Sequence, residues 1–218
     1  DEALSADLIV LAIKPQITNA GLTPLAGRLG PNSVVLSIVA GISTRSLATL
    51  LGLSDSGPII RCMPNTPALV GEGMTGLYSN SHAGAAEGKA LAERVMSSVG
   101  QCVGVEKEPD LDVVTAISGS GPAYFFLFIE SLTDAAIALG MDSESARKLA
   151  LQTALGASRL ASLSDEDAAT LRKNVTSPGG TTEQAIQSFE TSDIRGIVAR
   201  ATQAAARRSV ELSQEFGV

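Results

Sequence analysis

The residues best suited to bind a small anion lie in one short segment, 174–184, which reads Asn-Val-Thr-Ser-Pro-Gly-Gly-Thr-Thr-Glu-Gln. Its proline and two glycines predict a turn, and Thr181 followed by Gln184 predicts a capping box that opens a helix. The backbone amides of residues 180–182 should then be unpaired at a helix N-terminus, where the helix dipole favours negative charge. The segment therefore predicts a site for a small carboxylate.

Hydroxyl groups in the same segment could add hydrogen bonds to this carboxylate, namely those of Thr176, Ser177, Thr181 and Thr182. The plainer interpretation is a turn between two helices with a good N-cap, because capped glycine turns are common. The segment alone does not decide between these two interpretations.

The composition is that of a globular protein that binds neither nucleic acid nor a membrane surface. The 218 residues are 44% hydrophobic and 18% charged, enough for one large domain or two modest ones, and the formal net charge is −7. Nucleic acid and anionic lipid both require a basic face. The chain opens with Asp1 and Glu2 rather than a basic segment, so we expect no secretory signal and a cytoplasmic protein.

Cysteine and histidine residues are few, and this restricts the chemistry. Cys62 and Cys102 form no metal-binding pattern, so we expect no metal and a reducing compartment. His82 is the only histidine in the sequence, and its neighbours favour a surface loop. One chain therefore cannot assemble a Ser-His-Asp, Cys-His or multi-histidine site, and acid–base work falls to hydroxyls, lysines or carboxylates.

Two patterns of secondary structure divide the chain. Up to residue 106, short β-branched runs alternate with helical segments, which predicts a mostly parallel sheet with strands near 8–12, 33–39, 58–62, 74–79 and 101–105. From residue 107 the pattern is helical throughout. We therefore predict an α/β domain over residues 1–106 and an all-α domain over residues 107–218.

The most apolar long stretch runs from Pro122 to Gly140. It approaches the length of a membrane span, but Glu130 and Asp134 lie within it, and charged groups are costly in a bilayer. We therefore predict a helix that is buried in a core or at an interface, with Gly140 as its C-cap.

Four motifs carry a resemblance to a known family. They read Ala-Ile-Lys-Pro-Gln, Arg-Cys-Met-Pro-Asn-Thr-Pro, Ile-Ser-Gly-Ser-Gly-Pro-Ala-Tyr and Leu-Arg-Lys-Asn-Val-Thr-Ser-Pro-Gly-Gly-Thr-Thr, at residues 12–16, 61–67, 117–124 and 171–182. In their order and spacing the chain resembles the pyrroline-5-carboxylate reductase family. The resemblance implies an oxidoreductase of proline biosynthesis that uses NADP or NAD to reduce the C=N bond of 1-pyrroline-5-carboxylate, which gives L-proline.

The resemblance also implies an architecture and an assembly. The fold would be a Rossmann-like dinucleotide-binding domain followed by a helical dimerisation domain. The partners would be the small-molecule substrate and further copies of the chain, in a homodimer or a larger homo-oligomer such as a decamer.

Site residues follow from the motifs. The resemblance implies substrate contacts at Glu108, Asn174, Ser177, Gly180, Thr181 and Thr182. The hydroxyl of Thr182 is the candidate catalytic group, and we expect it to orient the imine nitrogen rather than to act as a strong acid. Cofactor contacts are implied at Ala12, Ile13, Lys14, Pro15, Ile38, Val39, Ala40 and Asn65.

Two of the cofactor-side residues have an alternative interpretation. Asn65 could bond to the nicotinamide carboxamide or cap its own turn, and Lys14 could balance a phosphate or simply be solvated. Gly41 would allow close approach of a ligand. Because many family members carry small residues where Ile38 and Val39 stand, we expect backbone contacts rather than side-chain contacts there.

One feature of the family is missing from the sequence. No glycine-rich turn follows a strand and opens a helix, as the pyrophosphate site of a dinucleotide-binding fold requires. About the first 55 to 60 residues of the family pattern, the size of a βαβ unit with its lead-in, have no counterpart. Two alternatives therefore stand beside the reductase. One is a catalytically silent chain that keeps the assembly module, and the other is a two-domain dehydrogenase of the β-hydroxyacid type.

Overall fold

The computed structural model describes residues 2–54, 57–80 and 85–216. His82 therefore lies outside the described residues. The chain divides into two compact units. We call Asp1–Pro122 together with Thr202–Val218 the sheet unit, and Ala123–Ala201 the helical unit.

The sheet unit is built on one mixed sheet, and its strands occur where the sequence predicts them. Their bounds are β1 Leu8–Leu11, β2 Val34–Ser37, β3 Ile59–Met63, β4 Gly73–Ser79 and β5 Gly100–Val105. The described strands follow one another in the order β1-β2-β3-β4-β5. All neighbouring pairs are parallel except β3 and β4, which are antiparallel.

Successive side chains along each strand point to opposite faces of the sheet, and a hydrophobic core forms on each face. Val35 and Ile59 belong to one core with the helices α1 Thr18–Leu22 and α2 Thr44–Leu51, whereas the next residues, Leu36 and Ile60, belong to the other. The second core packs against helix α3, Ala85–Met96. Because side chains of successive strand residues point to opposite faces, strands covered on both sides must be apolar throughout.

After β5 the regular structure is helical, as predicted. The bounds of the helices are α4 Asp110–Val114, α5 Gly121–Ala138, α6 Ser143–Leu163, α7 Ala168–Asn174, α8 Thr181–Thr191 and α9 Ile194–Phe216. A π-helical turn, Thr115–Gly119, joins α4 to α5. Gly140, with a φ of +97°, follows the end of α5, where the sequence predicts a C-cap.

The division into compact units differs from the predicted domain boundary after residue 106. Helix α4, the start of α5 and the end of α9 belong to the sheet unit. Within that unit the Ser209 hydroxyl of α9 donates a hydrogen bond of 2.6 Å to a carboxylate oxygen of Asp112 in α4. The end of the last helix is therefore tied to the first helix after the sheet.

Helix α5 is exposed, and this corrects one of the two predicted environments. Phe125, Phe126 and Leu127 are 63%, 64% and 63% exposed, so the helix does not lie in a core of the chain itself. By length and composition alone, the continuous helix Asp110–Ala138 could also cross a membrane. An interface remains as the predicted environment for this apolar surface.

We expect the two cysteines to differ in reactivity because Cys62 is buried, whereas Cys102 is partly exposed. Burial is the main cause that raises the pKa of the Cys62 thiol to about 12; Cys102 contributes in the same direction, and Arg61 opposes it. The thiolate fraction of Cys62 near neutral pH is therefore far below that of an exposed thiol. A thiol-selective alkylating reagent at pH 8 should modify the partly exposed Cys102 well before Cys62.

Mass spectrometry of the labelled peptides measures this difference. In urea both cysteines should react at similar rates, and Cys102→Ser should leave a native protein that is almost unreactive. Labelling of Cys62 in the native protein at the rate seen in urea would contradict the burial argument.

Candidate active site

The segment before α8 has the geometry of a type II turn. The Gly180 amide donates to the Ser177 carbonyl at 3.0 Å, and Pro178 and Gly179 stand between them. Proline presets the backbone of the second turn position, and the third requires a positive φ, which Gly179 supplies at +71°. The predicted turn is confirmed, and each of its residues has a conformational reason.

The capping of α8 is shifted by one residue from the prediction. Gly180, with a ψ of 170°, is the N-cap, so Thr181 is already helical. The residue three positions after the N-cap is Glu183, and its Oε2 accepts a hydrogen bond of 2.7 Å from the Gly179 amide. The predicted pair of Thr181 and Gln184 is wrong because the turn supplies the extended N-cap backbone at Gly180.

Backbone amides at the start of α8 are left for a ligand. Those of Thr181 and Thr182 have no protein acceptor among the described residues, whereas the Gly180 amide is used within the turn. The hydroxyls of Thr181, Thr182 and Ser177 also lack a hydrogen-bond partner in the described part of the chain. The Thr176 hydroxyl does not contribute, because it donates to a carbonyl of α7 at 2.6 Å.

Asn174, the last residue of α7, is partly committed to another contact. Its side-chain amide donates to Oε2 of Glu166 at 2.9 Å, and the residue is exposed. A substrate contact from Asn174 would therefore use its carbonyl oxygen or replace this hydrogen bond.

The predicted cofactor residues follow two neighbouring strands. Leu11 and Ser37, the last residues of β1 and β2, are register partners in a parallel pair, and Ile38 donates from its amide to the Leu11 carbonyl at 3.0 Å. The segments 12–15 and 38–40 therefore leave the sheet side by side. Carboxyl ends of parallel strands are where such sheets bind ligands.

Side chains along this edge point in different directions. Ala12, Lys14 and Ala40 are exposed, whereas Val39 is only 3% exposed and packs in the core. Ile38 packs against the opposite core. Any ligand contact from residues 38 and 39 would use the backbone, as the sequence predicts.

Lys14 presents a cation at the end of β1. Its ammonium makes no ion pair with a described residue, and its carbonyl accepts a hydrogen bond of 3.2 Å from the Thr18 hydroxyl. Pro15 then begins a short 3₁₀ turn, Pro15–Ile17. The ammonium is thus available to a phosphate, and its backbone is held by the strand exit.

Asn65 makes side-chain contacts within the protein, but its side chain does not cap its own turn. Its amide nitrogen donates to the Ser118 carbonyl at 3.0 Å, and its side-chain oxygen accepts from the Met74 amide at 2.8 Å. Both ends of the side chain are occupied by the protein. The carboxamide contact expected of Asn65 is therefore not supported.

Gly41 also serves the fold rather than a ligand. Its φ is +74°, and a Cβ at this position would lie 3.3 Å from the carbonyl carbon and oxygen of Leu212 in α9. The close approach that glycine permits is used by the last helix.

A glycine pattern that we did not predict as functional is explained by packing. Gly71, Gly73 and Gly76 have the spacing of a phosphate-binding turn, but they run into strand β4 instead of a helix. A Cβ at Gly73 would lie 2.8 Å from the Val99 carbonyl oxygen, and one at Gly76 would lie 2.6 Å from a methyl group of Val114. Gly73 and Gly76 therefore admit neighbouring backbone and side chains.

Glu108, which follows β5, is fully engaged within the sheet unit. Its Oε1 accepts from the Thr44 amide and from an Arg61 guanidinium nitrogen, both at 2.7 Å. Its Oε2 accepts from the Thr44 hydroxyl at 2.8 Å. The carboxylate therefore joins the N-terminus of α2 to a cation on β3.

Comparison with known proteins decides the family. Residues 108–212 match the model of the pyrroline-5-carboxylate reductase dimerisation family. The pyrroline-5-carboxylate reductase of Pseudomonas aeruginosa is 46% identical over 97% of this chain and 77% of its own length. That of Arabidopsis thaliana is 38% identical over 96% of this chain and 74% of its own length. The chain belongs to the pyrroline-5-carboxylate reductase family.

Solved structures agree over both units of the chain. A pyrroline-5-carboxylate reductase from Coxiella burnetii superposes with a TM-score of 0.91 at 42% identity, over 97% of this chain and 77% of that one. The Plasmodium falciparum pyrroline carboxylate reductase, solved with NADP bound, has a TM-score of 0.85 at 35% identity, over 95% and 78% of the two chains. The predicted combination of a Rossmann-like domain and a helical dimerisation domain is confirmed.

For this reductase family member we predict a structural role for Glu108 rather than a substrate contact. Glu108→Ala should lower the free energy of unfolding by about 2 to 3 kcal/mol, because it leaves the guanidinium of Arg61 and an amide without their acceptor. Urea unfolding at fixed protein concentration measures the change.

Glu106→Ala is the matched control, since Glu106 is an exposed neighbour with no recorded partner in the described chain, and its effect should stay within about 0.5 kcal/mol. A Glu108→Ala protein of unchanged stability with a raised KM would instead favour the substrate contact.

Proposed function

We propose that the chain reduces 1-pyrroline-5-carboxylate to L-proline with NADPH or NADH. The observation that carries the proposal is the start of α8, where the amides of Thr181 and Thr182 and three nearby hydroxyls are free of protein partners among the described residues. Membership of the reductase family supports the reaction class. A cytoplasmic biosynthetic enzyme fits the same relatives.

The carboxylate of the substrate binds at the helix start in this proposal. Two amides and the Ser177 hydroxyl supply hydrogen bonds, and the helix dipole favours the negative charge. Gly180 has no side chain to crowd the turn, whereas a Cβ at this position would lie 3.0 Å from the Ser177 carbonyl oxygen. Its own amide stays within the turn.

The strand ends of the sheet unit fit a dinucleotide. Ala12 and Ala40 are small and exposed, and Lys14 supplies an unpaired cation for a phosphate. The segments 12–15 and 38–40 would hold the cofactor through their backbone, without Asn65. When bound, NADPH or NADH supplies a hydride and becomes NADP⁺ or NAD⁺.

The role of the Thr182 hydroxyl follows from the hydride and the proton that the reaction requires. The imine carbon accepts the hydride, the electron pair of the C=N bond moves to nitrogen, and a proton completes the amine. A threonine hydroxyl is too weak an acid to supply that proton efficiently near neutral pH. Thr182 therefore orients the imine through a hydrogen bond, and the substrate enters with its nitrogen already protonated.

Assembly with a second copy completes the proposal. The dimerisation family model covers all of α5, and the exposed aromatic side chains of that helix are the surface that a partner copy would cover. We take the homodimer as the basic unit, with a decamer as the larger form.

The first prediction of this proposal concerns Thr182 in an enzyme that carries the family's glycine-rich turn. Thr182→Ala should lower kcat about 10- to 1000-fold without unfolding the protein, because the imine loses its orienting contact. Thr182→Ser keeps the hydroxyl and should retain most of the activity. Steady-state oxidation of NADPH, followed by absorbance, measures both variants.

Gly180→Val is the companion variant for the carboxylate. It should mainly raise KM, because the added methyl groups crowd the approach to the turn. Thr182→Ala with wild-type kcat and KM would show that the turn is only a helix cap.

The second prediction concerns assembly. The protein should be at least dimeric at micromolar concentration, with an interface well above roughly 2,000 Å². Phe126→Glu should weaken the dimer, because it places a charge on the exposed apolar surface of α5. Light scattering measures the mass of each variant.

Leu69→Glu is the control, since Leu69 is 90% exposed but lies outside the residues that match the dimerisation model. It should leave the mass unchanged. A folded wild-type monomer would contradict the proposed assembly.

A further inference from the structure

We propose that Glu183 is a positioning residue for the substrate carboxylate and acts by clamping the Gly179 amide. The inference rests on the proposed function of the turn before α8. It adds a residue that none of the expected site assignments includes.

The hydrogen bond itself is short and charge-assisted. The Gly179 amide donates to Oε2 of Glu183 at 2.7 Å, and bonds to an ionised acceptor are stronger than neutral ones. Glu183 is partly buried and makes no ion pair with a described cation. The turn is therefore its only polar partner in the described chain, which argues against a role in a surface charge network.

The clamp matters because the peptide between Pro178 and Gly179 can adopt two orientations. Type I and type II turns differ by a rotation of this central peptide by about 180°, and glycine at the third position permits both. A carboxylate fixed on the Gly179 amide selects the type II orientation. The extended N-cap backbone of Gly180 then follows, and with it the direction of the two free amides of α8.

The negative charge of Glu183 should also repel the substrate carboxylate. Its carboxylate lies in the first turn of α8, close in sequence to the amides that would hold a second carboxylate. The clamp needs only a hydrogen-bond acceptor of the same length, and an amide oxygen meets that need. Glu183→Gln should keep the clamp and remove the repulsion, whereas Glu183→Ala removes both.

Steady-state kinetics of the assembled enzyme with NADPH and pyrroline-5-carboxylate separate the two effects. We expect Glu183→Ala to raise KM about five- to tenfold with kcat within about twofold, as for a lost ground-state contact. Glu183→Gln should show a KM equal to or below that of the wild type. The control is Glu144→Ala, since Glu144 is an exposed glutamate in the first turn of α6, and its KM should not change.

Hydrogen exchange of the Gly179 amide gives a readout that does not depend on turnover. The amide should be protected in the wild type and in Glu183→Gln, and it should exchange faster in Glu183→Ala. Equal exchange in all three proteins would overturn the clamp. So would a Glu183→Ala enzyme with an unchanged KM, or a raised KM that Glu183→Gln fails to rescue.

Failure of the proposed function is a separate outcome. A folded wild type, with its cofactor turn present, that does not oxidise NADPH with this substrate would remove the reductase assignment and with it the role in substrate binding.

Discussion

Backbone amides at helix starts are the constraint around which many polar side chains of this protein are arranged, because such amides need an acceptor. Helices α2, α6 and α7 satisfy the need with N-cap side chains, those of Ser43, Asp142 and Asp167. Glu108 adds a carboxylate at the start of α2. Helix α8 has Gly180 in the capping position, without a side-chain acceptor. The start of α8, which lacks a side-chain cap, is where the substrate carboxylate is proposed to bind.

The preference of these helix starts for negative charge is visible in the protein's own carboxyl groups. Hydrogen bonding from the Ser145 amide lowers the pKa of Asp142, and the Thr170 amide does the same for Asp167. Both aspartates lie on the surface, so local donors rather than burial cause the shift. The free amides of α8 offer a substrate the same kind of donor, and there the anion must come from outside the chain.

The fold could be predicted further from the sequence than the site. The strands follow from β-branched runs, and the conformations at Gly140 and Gly179 follow from glycine. The cap of α8 could not be placed to the residue, because Gly180 and Thr181 are both acceptable N-caps and the turn decides between them. The roles of Asn65 and Gly41 depend on contacts with the π-helical turn Thr115–Gly119, with β4 and with α9, which local sequence does not encode.

The two units differ in how they obtain a hydrophobic core. The sheet unit closes a core on each face of its sheet. Among the described residues of the helical unit, the buried hydrophobic side chains are those of Ala146 and Ala150, while Phe125 and Phe126 of α5 are exposed. Covering one such aromatic side chain contributes about 1.5 to 3 kcal/mol. Association with another copy would therefore supply the core that the helical unit lacks, so its stability depends on protein concentration.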